Sequence, residues 1–266
     1  MNFSTKKIWS RATNRLYTII YTKLKERSFG QGENRVKYML FPRKKNSNGA
    51  NVLAVCFPAF AGVGAKYNYV RTLSDVNIHK LYLLDDIGGK KDLGNYLIKE
   101  GVEENVRALI QWGINEYHPE KLIFFGSSKG GYASINFALD FENVEVCIAA
   151  PQYFLADYLT CEKKFDNLCA ILEGDESDEA KEKLNNRLRR KIAESSLIPK
   201  NLYIHYSKNE HTYKEHIEDM LADLKNAGVN VHEDVGVYTN HIDLVYYFPS
   251  YLKSVSYTHL TLPTKA

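Results

Sequence analysis

The rhythm of apolar and polar positions along this 266-residue chain changes near Val36. Before it, Ile8, Ala12, Leu16, Ile19, Ile20 and Leu24 recur at three- and four-residue spacing, and Lys7, Arg11 and Arg15 stack four apart on another side. Residues at that spacing share a helical face, so a basic amphipathic helix is predicted over residues 5–27. From Val36 onward, short apolar runs alternate with helical periodicity. Strands are expected at Val36–Phe41, Asn51–Phe57, Lys80–Leu84, Lys121–Phe125, Val144–Ala149, Leu202–Ser207 and Val229–Val235. The second run is apolar throughout past Asn51, as in a strand buried on both faces of a parallel sheet. Between the strands lie a helix carrying Val102, Val106, Leu109, Ile110 and Ile114 that stops before Pro119, and one over 129–140. A third carries Ile217, Met220, Leu221 and Leu224 and ends near Gly228, and a last one follows His241. This alternation predicts an α/β fold: a mostly parallel, doubly wound sheet of six or seven strands with right-handed crossovers and helices on both faces.

Two stretches break the pattern. Residues 161–198 are dense in Glu, Lys and Arg and predict a helical insertion over the strand ends, either a lid or a solvated pair of surface helices. Residues 254–266, SVSYTHLTLPTKA, carry no core periodicity and are expected to be a non-native tail, His259 included. The expected organisation is therefore an N-terminal helix within 1–30, one α/β domain over 31–253, and the tail.

Composition, at 44% apolar and 25% charged, fits one soluble domain with a sizeable core. The formal charge of +3 conceals an asymmetry. Residues 1–50 hold 12 Lys/Arg against only Glu26 and Glu33, so the remainder is net acidic. A basic front end on an acidic body points to contact with a membrane surface or a protein partner through residues 5–27, and away from nucleic acid. Cys56, Cys147, Cys161 and Cys169 show no metal or disulfide spacing. Cys56 and Cys147 fall in strand-like runs and read as buried free thiols. With no signal peptide or spanning segment legible, the expected location is cytoplasmic, peripheral at the inner membrane face. No cofactor or metal is expected.

The chemistry concentrates at Gly126-Ser127-Ser128-Lys129-Gly130-Gly131, which follows the strand Leu122–Phe125 and opens a helix. A G-x-S-x-G turn in that context forces the serine backbone into strain and requires small residues two before and two after it. Ser128 satisfies this with Gly126 and Gly130. Ser127 would need small residues at Phe125 and Lys129 and fails. A serine nucleophile needs a base and an orienting carboxylate, in the chain order Ser, acid, His. Glu210, in the turn after Leu202–Ser207, is the expected acid, and His241, after the last strand, the expected base. His205, His211, His216, His79, His118 and His232 lie in strands, in or before helices, or away from the strand ends. The oxyanion donors expected are the Lys129 amide and, from the Pro58–Gly64 loop, Ala59 and Phe60.

With these residues assembled, the chain resembles the α/β-hydrolase superfamily over roughly residues 36–253, and within it a branch associated with bacterial surface glycans. PAFAGVGAKYNYVRTL, LYLLDDIGG, FFGSSKGGYASINFAL and NHIDLVYYFPSYL carry the likeness. The branch includes the accessory Sec system protein proposed to O-acetylate sugars on glycoproteins and capsule-biosynthesis proteins with the same serine-lysine-glycine elbow. The resemblance implies a Ser-Glu-His triad at Ser128, Glu210 and His241 and a small-molecule or glycan acyl ester as substrate. The expected activity is acyl-ester hydrolysis or O-acyl transfer. The alternative is an inactive scaffold of the same fold in glycan or capsule machinery, and no counterpart of the large additional domain of the secretion protein is expected.

Overall fold

The computed structural model describes residues 3–44, 50–60, 64–87 and 94–257 and, within the first helix, the side chains from Thr13 onward. Eight strands form one sheet: β1 (Glu26–Phe29), β2 (Val36–Phe41), β3 (Val52–Cys56), β4 (His79–Leu84), β5 (Lys121–Ser127), β6 (Val144–Ala149), β7 (Asn201–Ser207) and β8 (Asn230–Gly236). Their order is β1-β2-β4-β3-β5-β6-β7-β8. The pairs β1–β2 and β2–β4 are antiparallel and the rest parallel. All seven expected strands form, and β1 is an addition. It occupies an edge, has no apolar run, and follows directly on the helix predicted to reach residue 27, which ends instead at Lys25.

Residues β3 and β5, next to each other at the centre, are buried almost end to end, as strands covered on both faces must be. Helices α1 (Phe3–Lys25), α2 (Val102–Tyr117), α3 (Lys129–Ala138), α8 (Glu218–Asn226) and α9 (Leu244–Val255) surround the sheet. His118 ends α2 in the left-handed conformation at φ 45°, just before Pro119. The last helix runs past the boundary expected at residue 253. Val255 and Ser256 are buried, so the chain to that point belongs to the fold. His259 lies outside the described residues.

The charged insertion folds as four short helices, α4 (Leu155–Cys161), α5 (Phe165–Ile171), α6 (Asp178–Asn185) and α7 (Arg187–Glu194), beginning six residues earlier than expected. Three of its basic residues act as fasteners. Arg187 reaches both oxygens of Glu103 on α2 at 2.8 Å. Lys191 donates to Asp140 at 2.9 Å and to the Asn136 carbonyl at 2.6 Å, and Arg189 pairs with Asp223 on α8 at 2.7 Å. Burial alone would raise the Glu103 carboxyl, but Arg187, Asn136 and Arg107 outweigh it and hold it below the usual glutamate value.

Removing that carboxylate leaves Asn136 and the partly buried Arg187 without their acceptor. Glu103→Ala is expected to lower stability by about 2 kcal/mol, discounted for the exposure of Arg187, as read from the midpoint of urea unfolding.

Candidate active site

Ser128 sits between β5 and α3 with φ 55° and ψ −122°, a conformation that non-glycine residues rarely adopt. Three hydrogen bonds hold it there. Its amide donates to Ala149 O on β6 at 2.9 Å, and its carbonyl accepts from Gly131 at 2.9 Å and Tyr132 at 3.2 Å. The glycines around it have a measurable reason. A Cβ on Gly130 would lie 2.2 Å from the Phe57 carbonyl oxygen, and one on Gly126 would lie 2.6 Å from the Gly130 carbonyl and 2.7 Å from Phe57 O. The end of β3 and the elbow thus touch backbone to backbone. The Ser127 and Tyr69 hydroxyls are hydrogen-bonded to each other at 2.5 Å.

Glu210 is buried in the turn beyond β7 and its Oε1 is hydrogen-bonded to His241 Nδ1, with Thr212 donating to the same oxygen at 2.8 Å. Two further bonds tie the Glu210 loop to the His241 loop. Ser207 donates to Tyr238 O at 2.6 Å, and Asn209 Nδ2 to Val237 O at 3.3 Å. His241 opens the single-turn helix that leads into α9, and its Nε2 is buried without a hydrogen-bond partner. A bond from Nδ1–H to a carboxylate leaves Nε2 as the basic nitrogen.

Ser128 Oγ is occupied by a residue that the sequence did not mark. Fully buried Gln152 donates to it from Nε2 at 2.6 Å, while Gln152 Oε1 has no partner. Gln152 follows β6 through Ala150, itself at φ 33°, and the Cβ of the intervening Pro151 packs against Gly131. Tyr158 of α4 also reaches Ser128; burial first, then Glu162, keeps its phenol protonated. His241 Nε2 and Ser128 Oγ are not hydrogen-bonded to each other; hydrogen bonds of this kind often form only when a substrate is bound. The available signal was position alone: Gln152 follows the strand beside the nucleophile strand, where ligands of open α/β sheets gather.

The amide of Lys129 is the first of α3, among those a helix leaves without an internal acceptor. Its side chain is buried and paired with Asp85 at the end of β4, with Nζ 5.2 Å from the centre of the Phe60 ring. Burial lowers the Lys129 ammonium and Asp85 opposes the shift. The two loop amides expected as donors separate here. Ala59 N–H is taken by Asn68 Oδ1 at 3.0 Å, which corrects its assignment to an oxyanion role and leaves Phe60.

A second histidine–carboxylate pair lies one strand position inside the sheet, where His205 Nδ1 meets Asp234 at 2.6 Å, in register across β7 and β8. Tyr238, Tyr247 and Tyr251 pack around its ring. Among the described residues no cluster of His, Cys, Asp and Glu could hold a metal ion.

No family model matches the chain, and no curated protein does. Solved structures do. The capsule O-acetyltransferase of Neisseria meningitidis serogroup A superposes with a TM-score of 0.70 at 21% identity, over 86% of this chain and 93% of that one. A mutant of it in complex with CoA matches at 0.70 and 20% identity, over 88% and 99%. FphF, a fluorophosphonate-binding serine hydrolase of Staphylococcus aureus, matches at 0.60 and 13%, over 86% and 95%. The fold is that of the α/β-hydrolases. The α/β-hydrolase likeness extends to the glycosylation-associated Gap123 complex of Streptococcus agalactiae, at 0.69 and 16% identity. That match covers 90% of this chain and 47% of that one.

Two predictions follow from packing at the site. Gly130→Ala drives a methyl into the Phe57 carbonyl and is expected to cost about 3 kcal/mol or more, measured as a fall in Tm. His216, buried beside Phe154 and Tyr158, accepts from the Phe154 amide at Nδ1 at 3.4 Å. Burial pushes its pKa down to about 4, from an ordinary value of 6.5. The unfolded chain therefore binds more protons between those values, and stability falls as pH drops from about 6.5 towards 4, by about 3 kcal/mol in all. His216→Gln should flatten that part of the stability-against-pH curve.

Proposed function

We propose that this chain is a serine-dependent acyl enzyme in which Ser128, His241 and Glu210 carry an acyl group from an ester or thioester to a hydroxyl, water or sugar. One observation carries the reading: a serine held at φ 55° on a strand-to-helix elbow after β5, with a buried glutamate after β7 bonded to a histidine after β8. His241 Nε2 takes the Ser128 proton as Oγ attacks the acyl carbonyl, and Glu210 holds the imidazolium that forms. The Lys129 and Phe60 amides receive the developing oxyanion. Collapse expels the leaving group, which takes its proton from His241. An incoming hydroxyl then attacks the acyl-serine while His241 removes its proton, and the ester bond to Ser128 breaks as Oγ recovers a proton.

A carbohydrate hydroxyl as the acceptor is supported by the likeness to a capsule O-acetyltransferase, and a CoA thioester as donor by the CoA bound to that protein. The buried free thiols Cys56 and Cys147 fit the reducing cytoplasm as its location.

A fluorophosphonate probe tests the nucleophile. The wild-type chain should label, Ser128→Ala should not, and His241→Ala and Glu210→Gln should label more slowly, His241→Ala by about 10³-fold or more. Unchanged labelling of Ser128→Ala would place the chemistry elsewhere. A wild-type chain that neither labels nor turns over an acetyl ester, with or without a sugar acceptor, would favour the scaffold role.

A further inference from the structure

Among the described residues of α1, the apolar Leu16, Ile19, Ile20 and Leu24 are exposed. The helix docks through a different side. Tyr17 and Tyr21 stack 4.5 Å apart, Tyr21 meets Phe41 of β2 at 5.2 Å, and Lys25 lies over the same ring. Arg71 reaches Thr13 at 2.6 Å and Asn14 at 3.2 Å. Leu16, Ile19, Ile20 and Leu24 lie to one side of these contacts and stand 60%, 44%, 46% and 65% exposed. Four large apolar side chains in one ridge on a docked helix are more than scattered surface hydrophobes.

We infer that α1 is a docking element that lays this ridge on an anionic lipid bilayer. Charge decides the occupant. The helix Phe3–Lys25 contains Lys6, Lys7, Arg11, Arg15, Lys23 and Lys25 and no acidic residue, and Lys23 lies within the exposed ridge itself, between Ile20 and Leu24. Long basic side chains can rest their stems on the apolar surface and extend the ammonium to lipid phosphates, a combination that suits the interface between headgroups and acyl chains. No described helix is long and apolar enough to cross a membrane, so α1 would lie along the surface. Its tyrosine face stays on β2 throughout, which holds the catalytic domain at a set orientation to the lipid. This inference rests on α1 alone and is independent of the acyl chemistry.

The test is flotation of the full chain with vesicles of phosphatidylglycerol and phosphatidylcholine, and with vesicles of phosphatidylcholine alone. Binding is expected to the anionic vesicles, to weaken with added salt, and to fall about tenfold or more in the triple variant Leu16→Gln, Ile20→Gln, Leu24→Gln. Lys23→Glu should weaken binding to the anionic vesicles and leave the neutral ones unaffected. The variants spare Tyr17 and Tyr21, and an unchanged Tm shows that the domain is intact. Wild-type chain that stays with the unbound fraction, or a triple variant that floats as well as wild type, overturns the inference. A dimer in light scattering that the triple variant abolishes, without vesicle binding, assigns the ridge to a second copy of this chain instead.

Discussion

The carbonyl of Phe57 lies against the elbow so closely that neither Gly126 nor Gly130 can carry a side chain. Much of the site depends on that contact. It lets α3 start directly over the end of β5, and it forces the turn between them to be tight enough to hold Ser128 at positive φ. It also fixes the origin of the Pro58–Phe60 loop, because Phe57 is where that loop leaves β3 and where its amide still pairs with Phe125. Ser128 and the Lys129 and Phe60 amides therefore take their positions from one backbone approach. Strain at Ser128 is offset by the hydrogen bonds on either side of it and by burial of α3, every residue of which is inaccessible to solvent.

Around this rigid centre, polar residues act as clamps. Lys129 and Asp85 join the first turn of α3 to the end of β4 in a fully buried ion pair, an arrangement tolerated when both charges find close partners. Asp85 also accepts from the Asn95 amide at 3.1 Å, and Asn167 of the insertion reaches Gly94 and Asn95. The insertion is consequently tied to the same network that holds Lys129. Its other end is held by Arg187, Arg189 and Lys191. A roof fastened at both ends presents Tyr158 to Ser128 at a defined place, while Gln152 approaches from the strand beneath.

The elbow was legible in the sequence because its requirements are local. Small residues at two flanking positions, an apolar run before and a helix after are properties of six consecutive residues, and the same is true of strands whose apolar runs need no partner to be recognised. Glu210 and His241 were reachable by order along the chain, since each follows a strand in an alternating fold. Leu16, Ile19, Ile20 and Leu24 share one face of α1, as their spacing predicts, yet periodicity says only that a face exists. Which neighbour covers it depends on the rest of the molecule, and here Tyr17, Tyr21 and Arg71 took the contact.

What tertiary structure alone decided is the set of hydrogen bonds between segments that no apolar periodicity links. Asn68 takes the Ala59 amide, Gln152 takes the Ser128 hydroxyl, and edge strand β1 pairs with β2 without any apolar signature of its own. Each is a hydrogen bond whose donor and acceptor become neighbours only after the sheet has formed, and hydrogen bonds leave no periodicity in a sequence. Ser128 itself was determined by steric exclusion within six residues; the partner its hydroxyl holds at rest was determined by where β6 ends.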